Sequence, residues 1–220
     1  MKIARSVNRL GTEAVYSIFA KTKKLAKQGK KIIDLSLGQS DFKSPKHAVD
    51  ATIKALKDGH HGYTLPNGII ECREAVSRKI KSLYNADIDP ERIVIMPGGK
   101  PTMHNGISFF GERGAEFIYP DPGFPIYESM INYTGAKAVP FDMTENRDFS
   151  INPDKVLSLI NENTRLLILN NPHNPTGGFT EKTVIDKLAK GLKNFPHVTI
   201  LSDEIYDRLI FGKKEIPTFF

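Results

Sequence analysis

From Arg92 onward the chain alternates short, unbroken apolar runs with amphipathic stretches of helical length, and few architectures accommodate that pattern. The runs are Arg92–Met96, Ala115–Tyr119, Ala136–Phe141, Leu166–Asn170 and Val198–Ser202. Helical segments are expected between them, near Pro101–Phe110, Pro125–Tyr133, Pro153–Asn161 and Glu181–Asn194. A strand with one wet face alternates apolar and polar residues, whereas a strand covered on both faces has no need to. The pattern therefore predicts an α/β domain built on a mostly parallel sheet flanked by helices. Helix starts are signed locally. Asn152 precedes Pro153 at a first-turn position, and Thr180 is expected to cap the helix that begins at Glu181. Upstream, helices near Pro45–Lys57 and Ile69–Tyr84 bracket a loop, DGHHGYTLPNG.

Bulk properties exclude several classes. A chain of 220 residues with 40% hydrophobic and 25% charged residues can bury a sizeable core. No window approaches the roughly 18 apolar residues of a membrane span, and the first residues lack the apolar core of a signal peptide. Cys72 is the single cysteine, so no intrachain disulfide can form and a cytoplasmic location is expected. The net charge of +6 is local: KTKKLAKQGKK, from Lys21 to Lys31, holds six lysines and no acid. Val15, Ile18, Phe19 and Leu25 form a helical apolar stripe there, which makes the lysines a solvated helix face rather than a nucleic-acid surface. No membrane or nucleic-acid partner is expected.

In open α/β sheets ligands sit at the carboxyl ends of the strands, so chemistry is expected at those ends. The first offers Pro97-Gly98-Gly99-Lys100 ahead of a helix, where two glycines admit an anion to backbone N–H groups. It is not a Walker A loop, because Lys100 is followed by Pro101, and a plain strand-to-helix turn reads the same way. The second offers Phe124 between Pro122 and Pro125, either a flat face for a ring or a core plug. The third is NNPHNPTGGF, Asn170 to Phe179, in which Asn174 can donate to an oxygen. The fourth is Asp203-Glu204-Ile205-Tyr206. A carboxylate at the inner end of an apolar strand needs a cation or a protonated nitrogen, and an acidic pair there could instead bind a divalent metal. The six histidines form no metal-ligand pattern. An anion cradle, a stacking ring, an amide donor and a buried carboxylate together suit a phosphorylated aromatic heterocycle with a protonatable nitrogen. Pyridoxal phosphate has that chemistry.

The segments LSLGQSDF, YTLPNG, PGGKPTM, YPDPGFPIY, NNPHNPTGG and SDEIYDRLIF resemble, in order and approximate spacing, those of the class I/II aminotransferases, the fold-type I pyridoxal-phosphate enzymes. The resemblance spans nearly the whole chain and implies roles residue by residue. Gly98, Gly99 and Lys100 match the turn that holds the cofactor phosphate. Phe124 matches the ring stacked on the pyridine, and Asn174 and Tyr206 match the two groups on its 3′-oxygen. Asp203 matches the carboxylate paired with the ring nitrogen. Tyr63 matches a tyrosine reaching the phosphate of a second subunit, which implies a homodimer, and Gly38 matches a glycine near the substrate carboxylate.

The resemblance further implies residues 1–44 as an N-terminal arm belonging to a small domain, and residues 45–220 as an incomplete pyridoxal-phosphate-binding large domain. It implies transfer of an amino group between an amino acid and a 2-oxo acid, leaning towards aspartate or aromatic substrates with 2-oxoglutarate. The family's covalent lysine lies in a Ser-x-x-Lys-like stretch after the Asp-x-x-Tyr segment. Here Lys213 and Lys214 follow Tyr206 too closely to match it, so no catalytic residue is assigned and the chain is expected to be a truncated, inactive form. A non-catalytic paralogue or fragment that only binds cofactor or dimerises, and a lyase or synthase of the same fold, stay open beside it.

Overall fold

The computed structural model describes residues 2–11, 14–212 and 217–218, and among these the helix-forming and strand-forming signals are largely met. Residues 96–218, joined by residues 2–11, form one compact unit, and residues 14–95 form another. Lys213, Lys214 and the side chain of Val15 lie outside what is described.

The second unit carries helices α1 (Ala14–Lys27), α2 (Lys46–Lys57) and α3 (Ile70–Tyr84). On α1, Phe19 and Leu25 are half-buried while Ile18 is exposed. Asn85 closes α3 in the left-handed conformation, and its N–H bonds the Lys81 carbonyl. Arg92–Met96, expected as a strand, is not one. Ile93 closes a short turn over Pro90–Arg92, and Ile95 N–H finds a single carbonyl, Asn67 O, at 3.0 Å. A run of branched apolar residues is no strand without a neighbouring chain to complete its ladder.

The first unit is the α/β layer structure that the apolar runs predict. Strands β1 (Glu116–Asp121), β2 (Lys137–Asp142), β3 (Thr164–Asn170) and β4 (Thr199–Asp203) form a sheet in the order β2-β1-β3-β4, every pair parallel. Helices α4 (Gly99–Phe110) and α5 (Ile126–Thr134) cover one face, and α6 (Pro153–Leu159) and α7 (Lys182–Leu192) the other. Side-chain alternation explains the unbroken apolar runs. Phe117, Leu166 and Ile168 point to the layer holding Met103, Ile107, Tyr127 and Ile131. Ile118, Leu167 and Leu169 point to the layer holding Val156, Ile185, Leu188 and Leu192. Both faces are dry, so both parities must be apolar.

The two expected helix caps came out differently. Asn152 does cap α6, its side chain accepting from Lys155 N–H with Pro153 at the first helical position. Thr180 does not cap α7. Its buried hydroxyl accepts from Ile151 N–H at 3.1 Å, which ties the β3 exit loop to the segment before α6, and Glu181 occupies the cap position, its side chain making no capping bond.

Candidate functional site

Strand order locates the site before any side chain is considered. The chain leaves β1 for β2 on one side and returns to β3 on the other, so the direction of winding reverses between β1 and β3. A crevice opens at the carboxyl ends of the strands at such a point. Here the strands part: the β1–β3 register ends at Ile118 and Leu167, while β1 stays paired with β2 to Asp121 and β3 stays paired with β4 to Asn170.

The floor of the crevice is a chain of hydrogen bonds. The Asp203 carboxylate, half-buried at the end of β4, accepts from the Tyr127 hydroxyl at 2.6 Å and from Ile205 N–H at 3.2 Å, one on each oxygen. Tyr127 is fully buried on α5, and burial first, then the Asp203 charge, pushes its phenol well above the usual range. It therefore remains a protonated donor at any working pH. Its ring meets Phe124 edge-on, with centroids 5.8 Å apart at 86°, and the Lys100 ammonium lies 5.9 Å from the Phe124 ring centre. Phe124 is thus half-exposed beside the core instead of plugging it.

The β3 exit loop is organised by its amides. Asn170, buried, donates from Nδ2 to the Asp203 carbonyl at 2.9 Å and accepts Asn174 N–H on Oδ1 at 2.7 Å. It links the two predicted residues Asp203 and Asn174. Asn171 locks both ends of its side chain on Thr180, donating to its carbonyl and accepting its N–H. Gly178 lies so close to Asp148 and Phe149 that a Cβ would fall 2.6 Å from that of Phe149. The half-buried Asn174 and Tyr206 line one cleft of about 530 Å³ with Pro172, His173, Phe179 and Leu209.

At the start of α4, Gly98 has φ 109° and ψ 168°, a conformation that side chains on L-residues rarely adopt. Apart from the neighbouring residues and the helix's own backbone, no atom of the described residues lies within 4 Å of a Cβ built on Gly98 or Gly99, so the space above the helix start is open. Thr102 returns its hydroxyl to the Gly98 carbonyl at 3.1 Å, leaving the amino end of α4 able to take an anion. Glu204 turns away from Asp203. Its Oε1 accepts the Ser202 and Thr218 hydroxyls, and burial raises its carboxyl above the ordinary value.

Gly98, Gly99, Lys100, Phe124, Asn174, Asp203 and Tyr206 all belong to the first unit, whereas Gly38 and Tyr63 belong to the second, where both are exposed. Tyr127, Asn170 and His173 are site residues that the sequence reading did not single out. Only the place of Tyr127 three positions after Phe124, at the start of α5, could have hinted at it.

The family profile described as aminotransferase class I and II matches residues 30–219. The chain is 37% identical over 182 residues to a probable aspartate aminotransferase of Methanocaldococcus jannaschii, covering 83% of this chain and 48% of that protein. It is 30% identical over 215 residues to the aspartate aminotransferase of Bacillus subtilis, covering 98% and 54%. The aspartate aminotransferase of Thermus thermophilus solved with maleate superposes with a TM-score of 0.93 at 29% identity, covering 98% of this chain and 56% of that one. The chain belongs to the class I and II aminotransferases, a pyridoxal-phosphate-dependent family. It spans about half the length of the curated relatives it matches. Among the described residues no helix is long and apolar enough to cross a membrane.

Proposed function

We propose that the first unit is the pyridoxal-phosphate-holding part of an aminotransferase that moves an amino group between an amino acid and a 2-oxo acid. The observation that carries the reading is the Asp203 carboxylate, half-buried at the strand end and held from below by the Tyr127 hydroxyl at 2.6 Å. Bound pyridoxal phosphate supplies a conjugated ring that draws electrons from a substrate carbon when its nitrogen is protonated. Asp203 keeps a proton at that nitrogen by charge pairing, and Tyr127 fixes the carboxylate's orientation while contributing no competing charge. The open start of α4 at Gly98, Gly99 and Lys100 would take the phosphate, and Phe124 would lie against the ring. Asn174 and Tyr206 would donate to the 3′-oxygen. Asn174 is aimed from its backbone, because Asn170 holds its N–H.

Names of the relatives, aspartate and aspartate/prephenate aminotransferases among them, favour an acidic amino acid and 2-oxo acid as the substrate pair. The exposure of Tyr63 supports a homodimer in which this residue reaches a second copy's phosphate, with Gly38 near the substrate carboxylate. The lone Cys72 suits a reducing cytoplasm. By the family resemblance, residues 1–44 would form an arm belonging to a small domain and residues 45–220 the cofactor domain.

No serine follows Ser202, so these 220 residues contain no Ser-x-x-Lys stretch after Tyr206. We therefore expect these 220 residues to bind cofactor without forming a stable, borohydride-reducible adduct at one specific lysine. Titration of the 220-residue chain with pyridoxal phosphate, followed by absorbance and tyrosine fluorescence, tests the reading. Saturable binding is expected, weakened about tenfold by Asp203→Asn and by Asn174→Ala, the loss of one charge-assisted or one neutral hydrogen bond. Binding that is unsaturable, or indifferent to both substitutions, would sink it.

A further inference from the structure

Asn170 ends the apolar run of β3 as a buried amide, 2% exposed, on the side of the strand that carries Leu166 and Ile168. A polar side chain in such a place costs free energy unless its donor and its acceptor are both met. Main-chain groups at two different strand exits meet them. Nδ2 donates to the Asp203 carbonyl at the end of β4, at 2.9 Å, and Oδ1 accepts Asn174 N–H in the loop after β3, at 2.7 Å. These partners fix which way the amide points, since a carbonyl can only accept and a backbone N–H can only donate. An aspartate of the same size would set an oxygen against the Asp203 carbonyl, and a leucine would meet neither group.

Strand pairing alone does not call for this amide. Asn170 and Asp203 are the last paired residues of β3 and β4, and the Asp203 carbonyl already receives Asn171 N–H at 3.2 Å. The ladder therefore closes without the Asn170 side chain. What the side chain adds is a direct path from β4 to Asn174, four residues further along the chain. Pro172 and Pro175, on either side of Asn174, bring no N–H with which to fasten that stretch of loop.

The chemistry of the ligand gives the path a use. In pyridoxal phosphate one ring carbon separates the nitrogen from the carbon that bears the 3-oxygen, and the aromatic ring is rigid, so the spacing of nitrogen and oxygen cannot adapt. Groups that hold both atoms must be set at a matching distance beforehand, or one contact forms at the expense of the other. We propose that Asn170 is a positioning residue whose amide sets the spacing of Asp203 and Asn174 to that of the cofactor's ring nitrogen and 3-oxygen, so that the two contacts form together. The inference rests on the pyridoxal-phosphate reading of the site. It adds that the two contacts are coupled, and that one buried side chain couples them.

A double-mutant cycle on the 220-residue chain tests it, with pyridoxal phosphate as probe and a thermal melt by circular dichroism as the folding control. Asn170→Ala is expected to weaken binding about tenfold. In an Asn174→Ala background the same substitution should weaken it by about twofold or less, because a residue that acts through Asn174 then has nothing left to place. Thr164→Val supplies the comparison at the opposite end of β3, where the buried Thr164 hydroxyl accepts Asn161 N–H at 3.0 Å. It should lower the melting temperature while leaving affinity within about twofold, as expected of a distant, purely structural site. Asn170→Asp keeps the size and the acceptor that faces Asn174 but loses the donor to β4, and should bind as poorly as Asn170→Ala. It also decides the question should Asn170→Ala fail to fold. Unchanged affinity in either folded variant, or full additivity of Asn170→Ala with Asn174→Ala, overturns the proposal while leaving the cofactor reading intact. Absence of saturable binding by the unaltered chain overturns both.

Discussion

Residues 14–95 and residues 96–218 carry equally well-formed amphipathic helices, yet they bury very different things. In the latter, α4 to α7 press apolar faces against both sides of a sheet, and Ile107, Ile131, Val156 and Leu188 are fully buried. In the former, α2 buries no residue, and Val49, Ile53 and Leu56 remain exposed on it. Among its described residues only Arg73 and Ile93 are buried. The difference teaches that helix signals and core signals are separate. Capping, propensity and periodicity make a helix, but only a facing element turns its apolar stripe into stability.

Matched core truncations separate the two units most strongly. Phe117→Ala removes a fully buried ring between β1 and the α4–α5 layer and should destabilise the chain by about 3–5 kcal/mol. Leu56→Ala on α2 should change stability by about 0.5 kcal/mol or less, since its side chain is largely in water already. Denaturant melts of the two variants measure both. A large loss at Leu56 would mean that α2 is covered in solution.

Arg73 sharpens the comparison from the other side. It is the one fully buried charge among residues 14–95, donating to the Gly68 and Pro90 carbonyls at 3.2 and 3.0 Å and to Glu91 at 2.9 Å. A polar knot thus does there what an apolar core does in the other unit. Arg73→Met is expected to cost about 2–4 kcal/mol locally by stranding those carbonyls. Hydrogen exchange should quicken in the Tyr63–Gly68 loop and around Pro90–Arg92, with strands β1 to β4 unchanged. Uniform quickening across the chain would refute the separation of the two units' stabilities.

Legibility in the sequence followed the same division. The central strands β1 and β3 were readable because both faces of the sheet are dry there, which leaves a continuous apolar run as the signature. Arg92–Met96 carries that signature too, and composition alone cannot supply the neighbour that a strand needs. Strand-end residues such as Phe124, Asn174 and Asp203 were found because chain order fixes where strand ends fall. Tyr127 and Asn170 were not, because their meaning depends on Asp203, 76 and 33 residues away in sequence. His173 was not legible either, because its burial and its bond to the Thr176 hydroxyl depend on how its loop closes.

Acid should separate the units next. Burial holds the His173 imidazole below its ordinary value of 6.5, so the unfolded chain takes up a proton there more readily than the folded one. The stability His173 contributes is complete above about pH 6.5 and is lost as the pH falls below it. In the chain bearing His173→Gln that part of the acid-side loss should vanish, measured as the difference in melting temperature between pH 7.5 and pH 5.5. An unaltered pH dependence would mean that the ring can be protonated in place.

The smallest expected effect concerns the charges on α2. Lys46 pairs with Asp50 and Lys54 with Asp58, one helical turn apart and exposed on both partners. Such pairs gain little in water, because screening is strong and ordering two long side chains offsets the attraction. The order Lys before Asp is also the weaker one along a helix. Lys54→Gln and Lys46→Gln should therefore each move the melting temperature by about 1 °C or less, and raising the salt concentration should not enlarge the shift. A shift several times larger would show that these pairs organise the unit as Arg73 does, and that α2 depends on its charges because its apolar face has no partner within residues 14–95.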